Sequence, residues 1–397
     1  ERNRVAIDFY INEGSTARIK EVSLVGVTKF DQDDLLSRLD LQPTNFLSWW
    51  NKDDRYSRQV LTGDLEKIRS FYMNRGYLDF DIKNTTVSIS ETKKNVYIAI
   101  IIDEGDKYNF GEIKISGKYY PLTEESIFQN DIKTKKGEVF SRKLLNQSTE
   151  SINQELGNYG YAFSNVNPIP DVDKENLIVG FNYFIEPGKK VYVRRISFVG
   201  NEKTKDKVLR REMRQFEASF YDKEKIDQST RRLKRTQYFE GVDIKTVSVP
   251  GISDQVDLTV AVKEKNTGSV KLGAGASSDE GLVGSFSVTQ ANFLGTGNTV
   301  SATINTSSVN TVYSISHIDP YYTLDGISRR ITAYTKETNT KDLDTGQYDK
   351  KSLGLGVGFG IPMNEYDTVN IGFDVDMSEI KLVDTSPTRY KDYCKDV

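Results

Sequence analysis

Two hydrophobic grammars divide this chain. Up to about residue 265, short apolar stretches are interleaved with apolar residues at helical spacing. Leu61, Leu65, Ile68 and Tyr72 fall at i, i+4, i+7 and i+11, one stripe of an amphipathic helix. Asn74, Arg75 and Gly76 end that stripe with a residue able to take left-handed backbone. Residues 85–90 and 95–103 then read as a hairpin, the second strand apolar enough to be central in its sheet. The order returns with Ile152, Leu156 and Tyr159 followed by 177–185, and again with Ile226 and Leu233 followed by 242–247 and 256–262. Each round opens on a strand closed by glycine, at Gly26, Gly117 and Gly200, about 80–90 residues apart. This predicts three small β-α-α-β-β units in a row rather than one large core.

Equivalent places in the units carry Tyr77, Tyr161 and Tyr238, expected to pack over helix ends, and Glu104, Glu186 and Glu264. A three-stranded sheet with helices on one face leaves strand edges open, and an open edge accepts another chain by backbone hydrogen bonds whatever its sequence.

After residue 266 the helical period vanishes. Leu353, Leu355, Val357, Phe359 and Ile361 alternate with glycine, and Val369, Ile371, Phe373, Val375 and Met377 alternate with polar or small residues. Strands of about ten residues with one apolar and one small or polar face are the pattern of a transmembrane β-barrel. Tyr321 and Tyr322 at a strand end suit an interfacial aromatic girdle. About seven strands fit between 269 and 378, fewer than the roughly eight a closed barrel needs. The expectation is therefore a barrel portion that this chain does not complete, with truncation at both ends.

Composition narrows the chemistry. Cys394 and His317 are single representatives of their types: one cysteine excludes an internal disulfide, and a lone histidine in an alternating strand with no cysteine or acid cluster nearby reads as structural rather than as part of a triad or zinc site. Neither 273–275 nor 295–297 sits between a strand and a helix as a phosphate loop would. The expectation is a non-enzyme without cofactor or metal, and no apolar run reaches the roughly 18 residues of a membrane helix. The formal charge of −3 hides 16 Lys/Arg against 7 Asp/Glu between positions 189 and 237. Such a basic face suits acidic headgroups, an acidic protein or nucleic acid, unless it is simply a solvated helical surface.

Specific strings add a resemblance: Trp49-Trp50, Arg75-Gly76-Tyr77, Val208-Leu209-Arg210-Arg211-Glu212-Met213-Arg214, Asn292-Phe293-Leu294-Gly295-Thr296-Gly297 and Asp319-Pro320-Tyr321-Tyr322. With the repeats and the Gly-rich strands, they resemble the BamA family of outer-membrane β-barrel assembly factors, which carry POTRA repeats before a barrel. The resemblance implies a remnant of a preceding repeat at 1–14, a third-like POTRA domain at 15–104, a fourth-like at 105–188, a fifth-like at 189–265 and the N-terminal part of the barrel at 266–397.

It also implies a barrel in the bacterial outer membrane, POTRA domains in the periplasm, and insertion of unfolded outer-membrane proteins without ATP. Implied partners are these clients, outer-membrane lipids and lipoproteins, with no nucleic acid. A BamD-like lipoprotein would dock on Arg210, Arg214 and Glu217, which at i, i+4 and i+7 would share one helix face. A BamB-like one would meet the edge strand 85–90, with Val87 and Ile89 as its apolar contacts. The seam's first strand would be 269–277, with Val270, Leu272, Ala274 and Ala276 on one face, templating a client strand by β-augmentation. The alternative is a related POTRA-barrel secretion pore, which usually carries fewer repeats.

Overall fold

The structure is a computed structural model, and it describes residues 17–45, 48–51, 53–278, 280–340, 348–384 and 386–393. The remnant expected at 1–14 and Cys394 lie outside the described residues. Two compact units divide the chain, Glu1–Lys190 and Val191–Val397.

The first unit holds two repeats. One comprises β1 (Arg18–Val25), α1 (Gln32–Ser37), the single turn α2 (Ser48–Asn51), α3 (Arg58–Met73), β2 (Asp81–Ile89) and β3 (Asn95–Asp103). The other comprises β4 (Asn109–Gly117), α4 (Glu124–Ser126) running into a π-helical turn at Ile127–Asp131, α5 (Arg142–Asn158), β5 (Asn165–Asp173) and β6 (Ile178–Glu186). The second unit begins with a third repeat, β7 (Tyr192–Val199), α6 (Asp206–Arg210), α7 (Lys223–Arg235), β8 (Phe239–Ser248) and β9 (Gln255–Glu264).

All three sheets share one topology. The last strand is central, parallel to the first and antiparallel to the second, in the orders β1-β3-β2, β4-β6-β5 and β7-β9-β8. The central strand alternates because only one face is covered by helices: Val96, Ile98, Ile100 and Ile102 are buried with Leu61, Ile68 and Tyr72 of α3. In the second repeat Val179, Phe181, Tyr183 and Ile185 pack with Leu145, Ile152 and Leu156 of α5.

The recurrent glycines have one physical cause. Gly26, Gly117 and Gly200 have φ of 99°, 94° and 84°, and a Cβ at each would collide with the backbone carbonyl of Ile102, Ile185 or Val262 on the central strand. Only glycine tolerates both the left-handed turn and that approach.

Within the first unit the two repeats are stitched together. Tyr108 donates from its backbone N–H to the Gly76 carbonyl (2.8 Å) and from its hydroxyl to Asp79 (2.8 Å). The hydrogen bond to Asp79, with burial second, pushes the Tyr108 phenol up to about 12. Lys143 at the start of α5 donates its N–H to Asn74 at the end of α3 (2.8 Å).

The rest of the second unit is a seven-stranded antiparallel sheet: β10 (Gly268–Ser277), β11 (Gly281–Phe293), β12 (Asn298–Thr306), β13 (Asn310–Asp319), β14 (Ser328–Asn339), β15 (Tyr348–Pro362) and β16 (Thr368–Leu382), followed by the short α8 (Thr388–Tyr393). Its strands pair in sequence order, and β10 and β16 are its two edges, so the barrel is not closed. Register partners share a face, and the apolar face is continuous: Val270, Val288, Ala302, Ile315, Ala333, Leu355 and Val375 form one row across all seven strands. The adjacent row on the opposite face reads Lys271, Ser287, Thr303, Ser314, Tyr334, Gly354 and Asp376. His317 sits in the β12–β13 ladder with its Nε2 3.3 Å from the Asn298 amide, a structural position.

Candidate functional site

Two kinds of surface carry potential function: unpaired strand edges, and the place where the third repeat meets the seven-stranded sheet. The edges are treated unequally. In every repeat the first strand is covered along its outer side by the loop between the repeat's own helices. Ile19 donates to the Asp54 carbonyl (2.8 Å), Phe110 to Glu138 (2.7 Å) and Val193 to Ser219 (2.9 Å), and Gly137 and Ala218 return bonds to Phe110 and Val193 (both 2.7 Å). The second strands β2, β5 and β8 pair only with their central strands among the described residues. Of these, β5 contains Pro168 and Pro170, each lacking an N–H, so its free side is poor in donors. The edges left fully equipped are β2 and β8.

On β2 the two expected contacts differ. Val87 is half-buried against the repeat's own core, whereas Ile89 is 58% exposed at the strand's end. Only Ile89 offers its side chain freely.

The expected helix face of Arg210, Arg214 and Glu217 is corrected by the structure. Helix α6 ends at Arg210, and Arg214 and Glu217 lie in the following loop. The loop is fixed by bonds an uninterrupted helix could not make. Arg214 donates its N–H to the Ser229 hydroxyl of α7 (2.8 Å), and Glu217 accepts the Ile196 N–H of β7 (2.8 Å). Arg210 and Glu217 still meet at 3.4 Å, with Asp206 beside Arg210 at 3.3 Å. Arg214 turns away to Glu365, 2.7 Å distant in the β15–β16 turn.

Where the third repeat meets the sheet, two contacts of different chemistry hold it. At the β11–β12 turn, Asn292 donates to the Thr204 hydroxyl (2.7 Å) and accepts the Gly297 N–H (2.9 Å). Lys205 donates its N–H to the Gly295 carbonyl (2.9 Å), and the Tyr238 hydroxyl donates to that of Gly297 (2.9 Å). Gly295 and Gly297 have φ of 69° and 80°, and a Cβ at Gly295 would strike the Lys203 carbonyl. Tyr238 thus serves as a clamp on the barrel turn. Beneath it, Glu264 accepts the N–H groups of Lys203 (3.0 Å) and Thr204 (2.7 Å). Burial pushes the Glu264 carboxyl up, but those bonds outweigh it and hold it below the ordinary range.

The second contact is ionic. Arg232 of α7 lies between buried Glu212 (2.9 Å) and Glu365, and its guanidinium also donates to the Tyr321 hydroxyl (2.7 Å). Arg211 stacks 4.3 Å above the Tyr321 ring. Burial pushes the Glu365 carboxyl up, and the bonds from Arg214 and Arg232 bring it below the usual range. Tyr321 is therefore a docking residue beneath arginines, not the girdle aromatic expected of it, while its neighbour Tyr322 is exposed. Position within a turn gave no signal for this, because its partners come from a helix nearly ninety residues away.

Strand β10 follows β9 after three intervening residues, and among the described residues it pairs only with β11. Val270 and Leu272 stand exposed on its apolar face, with Ala274 and Ala276 in the same alternation.

The POTRA family model, described as a surface antigen variable number repeat, matches residues 17–105, 108–188 and 191–265, and the Omp85 superfamily domain matches 292–396. The chain belongs to the POTRA–Omp85 family. It is 33% identical to an outer membrane protein assembly factor BamA of Neisseria meningitidis serogroup B over 99% of this chain and 50% of that protein. The crystal structure of BamA from Haemophilus ducreyi lacking POTRA domains 1–3 superposes with a TM-score of 0.63 at 32% identity, covering 72% of this chain and 53% of that one. A BamA fragment of POTRA domains 3–5 from Haemophilus influenzae is matched over its whole length and 65% of this chain, with TM-score 0.57 at 26% identity. The chain spans about half the length of the curated relatives it matches. Family membership places the barrel strands in the outer membrane and the POTRA repeats in the periplasm.

Proposed function

We propose that this chain forms part of an outer-membrane protein assembly factor of the BamA kind, a non-enzymatic device that receives unfolded outer-membrane proteins and helps them into the bilayer. One observation carries the reading: β10 opens the seven-stranded sheet immediately after a POTRA repeat that is itself clamped to the turns of the same sheet, and among the described residues it pairs only with β11. An unpaired edge in lipid is costly, because its N–H and C=O groups find no water. A client strand that adds to β10 satisfies those groups, so insertion proceeds by exchange of hydrogen bonds and needs no ATP. Extended clients are received upstream on β2 and β8, the repeat edges with full sets of donors.

The proposed lipoprotein contacts follow the corrected geometry. On the third repeat a BamD-like partner meets the exposed Arg210–Glu217 pair, with Arg214 engaged elsewhere. On the first repeat a BamB-like partner adds to the β2 edge, with Ile89 as its apolar contact and Val87 retained by the core.

The test is disulfide trapping in the intact protein with Cys394 replaced by serine. Single cysteines placed along β10, at Ser269, Lys271 and Gly273, are paired with cysteines in the terminal strand of a stalled client. Cross-links in one consistent register are expected. A client that accumulates in the complex without any cross-link to β10 refutes strand templating.

A further inference from the structure

We propose that the arginine pocket between the third repeat and the sheet's turns binds the phosphodiester of a membrane phospholipid. This goes beyond strand templating and does not depend on it. Arg211, Arg214, Arg232, Tyr321, Leu324 and Glu365 line a cleft of about 600 Å³. Arg235 reaches the same place, donating to the Glu365 backbone carbonyl at 3.4 Å. Four guanidinium groups thus meet the carboxylates of Glu212 and Glu365, and Asp325 also lines the cleft, so four positive charges face three negative ones and a single positive charge is in excess.

The donors are also not used up. The Arg211 side chain is 18% exposed, it lies 3.8 Å from Glu212, and its Nε finds no hydrogen-bond partner among the described residues. The Nε of Arg232 is in the same condition. A buried charged donor lacking an acceptor is unfavourable, and native sites resolve it with a water or an anion. A phosphodiester offers two anionic oxygens that match the guanidinium fork, more strongly than a water does.

Lipid is the source that suits the surroundings. Leu324, Met363 and Tyr366 project from the same two turns as fully or largely exposed apolar side chains. Those turns end the strands whose apolar rows run unbroken across the sheet. A phospholipid seated here has its phosphate among the arginines and its acyl chains along the apolar face. Glu365 competes with that phosphate for Arg214 and Arg232.

The test is native mass spectrometry on the intact protein, purified in detergent and incubated with phosphatidylglycerol. Arg211→Gln with Arg214→Gln is expected to lower the retained lipid roughly tenfold, the scale of losing charge-assisted hydrogen bonds. Glu365→Gln, which breaks the same clasp but removes the competitor, is expected to raise retention. Arg214→Lys retains more lipid than Arg214→Gln, and soluble glycerophosphoglycerol fails to displace the lipid. Equal retention in all variants overturns the proposal. So does a loss in Glu365→Gln equal to that in the arginine variants, equal losses in Arg214→Lys and Arg214→Gln, or full displacement by the soluble headgroup.

Discussion

Strand β3 of the first repeat and strand β10 of the sheet both alternate apolar residues, yet they end in opposite surroundings. Ile98 and Ile100 of β3 are 1% and 0% exposed, while Leu272 of β10 is 81% exposed. Alternation determines that one face is apolar and is silent on what covers it. In the repeats the cover is a helix drawn from the same eighty or so residues, so each repeat completes its own core. In the sheet, among the described residues, no helix packs on the apolar face. The rows from Val270 to Val375 find their cover in lipid, where burial needs no further protein.

Substitution separates the two covers most sharply. Ile100→Ala opens a cavity in a closed core and should cost about 2–5 kcal/mol of the first repeat's stability. Leu272→Arg should cost about 2–4 kcal/mol where the strand lies in a bilayer and close to nothing if that face met water. Denaturant titration in lipid vesicles reads both, and a neutral Leu272→Arg would put the sheet in the wrong solvent.

The glycines of the two regions divide next. Gly200→Ala meets a left-handed backbone and the Val262 carbonyl, and should destabilise the third repeat by about 1–3 kcal/mol. Gly275 of β10 has open space where a Cβ would stand, so Gly275→Ala should shift the unfolding midpoint little or upward. Similar losses for both would mean that glycine serves one purpose along the whole chain.

The smallest effect compares repeats with one another. Glu104 accepts the N–H groups of Thr28 (2.9 Å) and Lys29 (3.0 Å) and the Tyr72 hydroxyl (2.8 Å). Burial raises its pKa, but these bonds hold the carboxyl below the ordinary range. A carboxyl depressed in the folded state contributes stability above its unfolded value of about 4.3, and that contribution is lost as pH falls through the folded value. Glu104→Gln should therefore cost about 1–2 kcal/mol at neutral pH and flatten the acid limb of the first repeat's stability curve. The expected equivalence of Glu186 does not hold: Gly26, Gly117 and Gly200 meet Ile102, Ile185 and Val262, so Pro187, not the exposed Glu186, stands where Glu104 and Glu264 do. Glu186→Gln should change stability at neutral pH little, as exposed substitutions do, and an equal loss in both variants would dissolve the distinction.

Much of this is legible in the sequence. Amphipathic stripes, glycine stops and apolar central strands gave the β-α-α-β-β order, because those signals are local. Strand β5 was harder to see, since Pro168 and Pro170 argue against a strand unless it is an edge whose outer side bonds to nothing. The helix expected through Glu217 failed for a related reason. Charges at i, i+4 and i+7 suit a helix, but Ser229 and Ile196, distant in sequence, offered the loop better partners.

The sequence by itself determined where helices and strands alternate, which strand faces are apolar, and that glycine must close each repeat's first strand. Those are properties of neighbouring residues and backbone sterics. Tertiary structure alone decided which edges stay open, that Tyr321 and Arg214 serve the junction with the sheet, and that Arg211 and Arg232 are left with unspent donors. Each depends on groups separated by tens to more than a hundred residues meeting at hydrogen-bond distance, which no local pattern encodes.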